Sequence, residues 1–196
     1  MRNKKIRNLV MTALLSAVAF VLMFLEFPVP AIIPDFIKVD FSELPALIAT
    51  FSLGPVWGVL VCLIKNLLHL LIPNFATPVG ELANFLLGAT FTFTAGIIYK
   101  NKRTLKGALT ASLIGSLAMA VLSFPINYFI TYPFYSNLMP MQAIIGAYKV
   151  IMPSVDSLWE ALLIFNVPFN FVFKGIATSL LTFLLYKRIS PIIKGR

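Results

Sequence analysis

Asn166-Val167-Pro168-Phe169-Asn170-Phe171-Val172-Phe173-Lys174-Gly175 lies inside a long apolar segment that runs from about Leu158 to Tyr186. Two asparagines and a lysine recur here at four-residue spacing, which on a helix puts Asn166, Asn170 and Lys174 on one stripe. A charged side chain at the centre of a membrane helix costs about 2.5–3.5 kcal/mol on insertion scales. If this segment is a membrane helix, the stripe has to face protein, water or a ligand rather than lipid.

Composition says that it is one. The chain has 196 residues, of which 59% are hydrophobic and only 12% charged, against about 25% charged in an ordinary soluble domain. Several apolar runs approach or exceed the ~20 residues that a helix needs to cross a bilayer. They do not alternate as barrel strands would. The expected fold is an all-α integral membrane protein, with residues 1–196 forming a single membrane domain. The net charge of +9 does not point to nucleic acid, because it is clustered. Arg2, Lys4, Lys5 and Arg7 open the chain, Lys100, Lys102, Arg103 and Lys106 form a second group, and Lys187, Arg188, Lys194 and Arg196 close it. These are the flanks of hydrophobic spans, as the positive-inside rule requires.

Six transmembrane helices in one bundle follow from the runs. The first is expected over about Asn8–Glu26, with Ala13 and Ala17 as a small-xxx-small pair that lets another helix approach. Phe27–Asp40 holds three prolines, too many for a continuous helix, and is too apolar for an ordinary loop. It reads as a lid over one end of the bundle. Ser42 is the expected N-cap of a short second helix with Pro45 in its first turn, ending near Gly54-Pro55. The third helix, about Val56–Ile72, carries Lys65, Asn66 and His69. Pro73–Pro78 reads as a turn, and the fourth helix runs from near Gly80-Glu81 to the Lys100 cluster, with Glu81, Asn84 and Gly88 on one side. The fifth starts near Gly107, presents Gly107, Ala111 and Gly115 for close packing, and reaches Asn127. Tyr128–Pro153 reads as an interfacial connection holding a short helix, and the sixth helix is the opening segment.

If all three basic clusters are cytoplasmic, six crossings satisfy the parity between them, and both N- and C-termini lie in the cytoplasm. The lid, Glu81 and Asn127 then fall toward the outside, at a depth similar to Asn166 and Asn170. A cavity open to the exterior needs this convergence.

The chain has one histidine and one cysteine, too few for a His/Cys metal site. No Walker A, HExxH or GxSxG sequence is present, so no catalytic residues are assigned and an enzyme is not expected. Asparagine amides offer both donors and acceptors. With one acid, one base and many phenylalanines around them, they suit a planar, largely neutral ligand bearing amide and hydroxyl groups. Structural readings stand beside this one. Asn166 could satisfy a carbonyl freed by Pro168. Lys174 could snorkel, or pair with Glu81. Lys65 and His69 could be polar glue, and Asp40 and Glu43 caps.

Phe36-Ile37-Lys38-Val39-Asp40-Phe41-Ser42-Glu43-Leu44-Pro45-Ala46-Leu47-Ile48-Ala49 resembles the loop and second helix of riboflavin-specific S components of energy-coupling-factor (ECF) transporters. Gly54-Pro55 through Lys65-Asn66-Leu67-Leu68-His69, Gly80-Glu81-Leu82-Ala83-Asn84-Phe85, and Pro168-Phe169-Asn170 with Lys174-Gly175 resemble later motifs of the same family, in order. The resemblance implies a prokaryotic cytoplasmic-membrane protein that binds riboflavin from outside as transported ligand, with no cofactor. It implies partnership with a transmembrane coupling protein (the T component) and two ATPase subunits, met through Ala13 and Ala17. It also implies ligand contact by Asp40, Leu44, Ala46, Glu81, Asn127, Asn170 and Lys174. The residues alone leave other readings open: an S component for another vitamin such as thiamin, a stand-alone ion-coupled secondary transporter using Lys65, Glu81 and Lys174, or a non-transporting scaffold. A nickel or cobalt S component is disfavoured, since no histidine lies near the N-terminus.

Overall fold

The computed structural model describes residues 2–72 and 78–194, with side chains for 4–72 and 78–186. The expected turn at Pro73–Pro78 lies outside the described residues except for Pro78 itself, which opens a helix. Among the described residues ten α-helical segments follow one another: α1 (Arg2–Met23), α2 (Glu43–Leu53), α3 (Pro55–Leu70), α4 (Pro78–Asn101), α5 (Leu105–Ile126), α6 (Tyr132–Tyr135), α7 (Met141–Ile151), α8 (Leu158–Ala161), α9 (Val167–Phe169) and α10 (Thr178–Lys194). π-helical turns join several of them end to end, so that Leu105–Tyr135 and Leu158–Tyr186 are continuous rods.

Among the described residues four helices are long and apolar enough to cross a membrane: Lys4–Met23, Pro78–Asn101, Leu105–Tyr135 and Leu158–Tyr186. Their outward faces are lined with leucine and valine, among them Leu9, Leu14, Val18, Leu113, Leu117, Val121, Leu180 and Leu184, the surface that lipid requires. α2 and α3, at 11 and 16 residues, fall short of a comfortable span, so length supports four of the six expected crossings directly. The shortness of α2 has a physical reason. Every residue from Glu43 to Phe51 is buried, and α2 packs against α1, α3, α4 and α10. It is the axis of the bundle and meets protein on all sides.

α2 turns sharply into α3 at Gly54, whose φ of 122° and ψ of 168° are open almost only to glycine. Its N–H still caps α2 by donating to the carbonyls of Ala49 and Thr50, and Pro55 pre-sets the first turn of α3. Farther along, the expected close packing of α5 is present. A Cβ on Gly115 would lie 2.8 Å from the Phe91 carbonyl oxygen, so α4 and α5 meet backbone to backbone.

Helix ends shift by a few residues from the sequence expectation, and three differences are larger in consequence. α1 runs from Arg2 to Met23 rather than from Asn8 to Glu26. The fifth helix does not stop at Asn127 but passes through a π turn (Asn127–Thr131) to Tyr135, because Pro133 sits in the first turn of α6, where a missing N–H is tolerated. Ser42 is not a side-chain cap: its backbone is helical and its hydroxyl caps nothing. The last rod begins as its sequence dictates, with a capping box in which Ser157 Oγ accepts from the Glu160 N–H and Glu160 Oε2 accepts from the Ser157 N–H.

The lid-like segment is pinned at its ends by a two-residue antiparallel ladder, Phe27–Pro28 (β1) against Lys38–Val39 (β2). Its Ile33 and Val39 are buried with Tyr132, Ile144, Tyr148, Leu162 and Phe169. The lid therefore rests on α6, α7 and the first part of the last rod.

Because the Cβ of a residue at position 54 would meet nothing within 4 Å, Gly54→Ala isolates the backbone cost. It should lower stability by about 1–3 kcal/mol. Gly146→Ala, in α7 with equally open surroundings, should be neutral or stabilising by about 0.5–1 kcal/mol. Thermal unfolding of the purified variants in detergent checks both.

Candidate functional site

Buried polar side chains gather inside the apolar bundle, most of all in two groups. The first is built on the π turns. Asn127 opens the π turn of α5, Asn166 closes the π turn Leu162–Asn166, and Asn170 begins the π segment Asn170–Ala177. π-bulges cluster at functional sites because they re-aim side chains without breaking the helix. All three asparagines are buried. Asn127 Nδ2 donates to the Ser123 carbonyl at 2.8 Å and to Asn166 Oδ1 at 3.1 Å. Asn170 Nδ2 donates to the Asn166 carbonyl and to Asn166 Oδ1, both at 2.8 Å. Asn166 is therefore the hub, and its side chain is tied to its fellow asparagines rather than to a carbonyl freed by Pro168. The hydroxyls of Tyr132 and Tyr148, 2.5 Å apart, lie beside it.

The second group gathers charge around the start of α2. Lys65 Nζ donates to Glu43 Oε1 at 2.7 Å and to the Ser42 hydroxyl, with both charged side chains fully buried. Asp40 Oδ1 accepts from the Ser42 N–H at 2.7 Å. Burial works to raise the Asp40 carboxyl, but the nearby Lys174 and Lys65 ammoniums and the Ser42 hydrogen bonds outweigh it, holding Asp40 below its ordinary range. His69 Nδ1 lies 2.6 Å from Glu81 Oε1. The other oxygen, Glu81 Oε2, is buried with no hydrogen-bond partner among the described residues.

Lys174 is half-buried and donates to Asn84 Oδ1 at 3.1 Å. Glu81, its expected partner, does not hold it. The π winding from Asn170 to Ala177 is the reason: it takes Lys174 off the line through Asn166 and Asn170 that α geometry would give. Asp40, Lys174, Glu81 and the asparagines thus come from the lid, the last rod, α4 and α5 to the interior of one bundle. Leu44 and Ala46 do not join either polar group through their side chains. Leu44 packs with Ile48 against Met11, Leu15 and Leu181, and Ala46 packs with Ala19, Ala49, Val61 and Cys62. Sequence reading also passed over Tyr132 and Tyr148 as residues of an interfacial connection. Only their burial marks them, and no local pattern announces it.

A cavity of about 480 Å³ lies between Tyr128, Phe129, Pro133, Met141, Ser157, Leu158 and Trp159. Its walls are mostly apolar, and the buried polar side chains gather elsewhere, in the asparagine and Asp40–Lys65 groups. Those groups offer amide donors and acceptors, an unengaged carboxylate oxygen and the stacked rings of Phe169 and Phe173. They could hold a planar molecule with an amide-like edge and hydroxyls. Among the described residues no three His, Cys, Asp or Glu side chains are grouped to hold a metal ion.

Comparison with known proteins gives a consistent result. Residues 7–186 match the family described as "ECF transporter, substrate-specific component". The riboflavin transporter RibU of Staphylococcus aureus is 40% identical over 188 residues, covering 96% of this chain and 93% of that protein. The riboflavin transporter FmnP of Bacillus subtilis is 34% identical over 192 residues, covering 97% and 95%. A solved structure, described as "Structure and mechanism of the S component of a bacterial ECF transporter", superposes with a TM-score of 0.75 at 39% identity, covering 99% of each chain.

Removing one partner of a fully buried ion pair typically costs about 3–5 kcal/mol, whereas replacing both by apolar groups is often neutral. Lys65→Ala should therefore lower stability by about that amount. The double variant Lys65→Met with Glu43→Leu should recover most of the loss, as read by thermal unfolding in detergent.

Proposed function

The chain belongs to the family of ECF transporter substrate-specific components, and from that membership we propose that it captures riboflavin outside the membrane and delivers it to an ATP-driven coupling module. One observation carries the choice of ligand. The relatives that match nearly the whole chain are riboflavin transporters, and the chain buries three mutually bonded asparagines where such a ligand needs amide partners. Isoalloxazine has an amide-like polar edge and an apolar one, and the ribityl chain carries hydroxyls. Asn127 and Asn170 suit the polar edge or the ribityl hydroxyls. Asp40, Lys174 and the free oxygen of Glu81 suit groups that need a charged partner. Leu44 and Ala46, turned toward α1 and α3, contribute through the shape and backbone of α2.

The chain is a multi-pass cell-membrane protein. Its four long helices, with α2 and α3 between them, make the proposed six-helix domain, both termini cytoplasmic by the placement of basic residues. With no Walker A sequence in this chain, the energy of uptake comes from separate ATPase subunits acting through a T component. Ala13 and Ala17 are exposed on α1. Two exposed alanines one turn apart suit the close approach of a partner helix, which supports that face as the docking surface.

Titration of the purified chain with riboflavin should quench the vitamin's fluorescence with an affinity in the nanomolar range, and excess thiamin should not compete. A folded preparation that leaves riboflavin fluorescence unchanged would overturn the reading. Asn170→Ala should weaken binding by about 1–3 kcal/mol, and an unchanged affinity would return Asn170 to a purely structural role. Ala13→Leu or Ala17→Leu should leave riboflavin binding intact while impairing co-purification with the coupling module and uptake. Assembly that survives both replacements would remove α1 from the interface.

A further inference from the structure

α3 supplies no residue to the proposed ligand site, yet Asn66, one residue past the structural lysine, is buried and fully engaged. Its Nδ2 donates to the Cys62 carbonyl at 2.7 Å, four residues back on its own helix. That bond decides which end of the amide looks toward α4: the oxygen. Asn84 Nδ2 donates to this oxygen at 3.1 Å. An amide that gives its NH₂ to one neighbour presents its carbonyl to another, and Asn84 Oδ1 accepts from Lys174 Nζ at 3.1 Å. Each link orients the next, starting from a fixed backbone carbonyl and ending at an ammonium.

Lys65 and Lys174 differ in a telling way. Glu43 neutralises Lys65 at 2.7 Å in a fully buried pair. Among the described residues Lys174 is in no ion pair within 4.0 Å; its partner is a neutral carbonyl. An ammonium has three donors, and holding one of them with an amide directs the group without a direct ion pair, with Asp40 near enough to feel its charge.

We infer that Asn66 is a positioning residue for ligand capture, aiming the Lys174 ammonium into the binding site through Asn84. The inference rests on the reading above in which Lys174 meets the ligand. It differs from the simpler role of an asparagine pair that only glues α3 to α4, and the two roles part in a double-mutant cycle. Riboflavin affinity and unliganded melting temperature are measured for wild type, Asn66→Leu, Lys174→Met and the double variant. Positioning requires that Asn66→Leu weaken riboflavin binding about tenfold when Lys174 is present, and less than about twofold when Lys174 is already methionine. Its effect on melting temperature should be the same in both backgrounds. Equal weakening of binding in both backgrounds, or none in either, overturns the inference and leaves glue. If Asn66→Leu does not fold, Asn84→Leu breaks the same chain one link later and is read by the same criteria. Wild-type affinity in Lys174→Met also overturns the inference, because it removes the endpoint. A wild-type chain that binds no riboflavin overturns the proposed function instead, and this inference with it.

Discussion

A carboxylate is carried into the centre of the bundle at the first residue of its central helix, and the rest of the architecture depends on neutralising it there. Glu43 has no access to water, so Lys65 must stand 2.7 Å away on α3, and α3 must run back alongside α2. Gly54 makes that return possible by adopting a conformation that side chains resist. With α2 and α3 locked together, α1, α4 and α10 close around them. The Lys65 bond to Ser42 then reaches the neck of the lid, where Ser42 also holds Asp40. The same pair that satisfies the core thus fixes one wall of the proposed site.

The polar interior is organised in two different ways, and the difference follows from what each must do. Around α2, Lys65 and Glu43 meet directly, which rigidifies the core and uses both charges, while one oxygen of Glu81 stays unengaged. Around the π turns, neutral amides bond to one another. Such bonds exchange readily for bonds to an incoming amide or hydroxyl, because a neutral partner is replaced by another neutral partner at small net cost. Asn127, Asn166 and Asn170 can therefore be satisfied both with and without a ligand. This property suits a binding protein that must load and release.

Much of this was legible in the residues, and the reasons for the rest are specific. Hydropathy and the flanking basic clusters reveal a membrane protein because lipid imposes a strong, local constraint on composition. The polar stripe at Asn166, Asn170 and Lys174 stands out for the same reason. Its facing was not legible, since four-residue spacing gives one stripe on an α-helix and another on the π segment that forms here. Nor could spacing reveal that Lys174 meets Asn84, 90 residues earlier in the chain. α2 looked like a weak span by length, whereas its burial from Glu43 to Phe51 makes it the core. Centrality in a bundle is a property of neighbours, which a single helix does not encode. Tyr132 and Tyr148 are hidden among interfacial aromatics in the sequence, and only the packing of α6 against α7 brings them together.

The central claim is that riboflavin occupies the buried asparagine group beneath the lid, and a structure of the chain with riboflavin bound tests it most directly. The account predicts the vitamin between Asn127, Asn166 and Asn170 on one side and Asp40 and Lys174 on the other, with the asparagine bonds to one another exchanged for bonds to the ligand. Riboflavin seated instead in the aromatic cavity beside Tyr128 and Trp159, with the asparagine network unchanged, would contradict it.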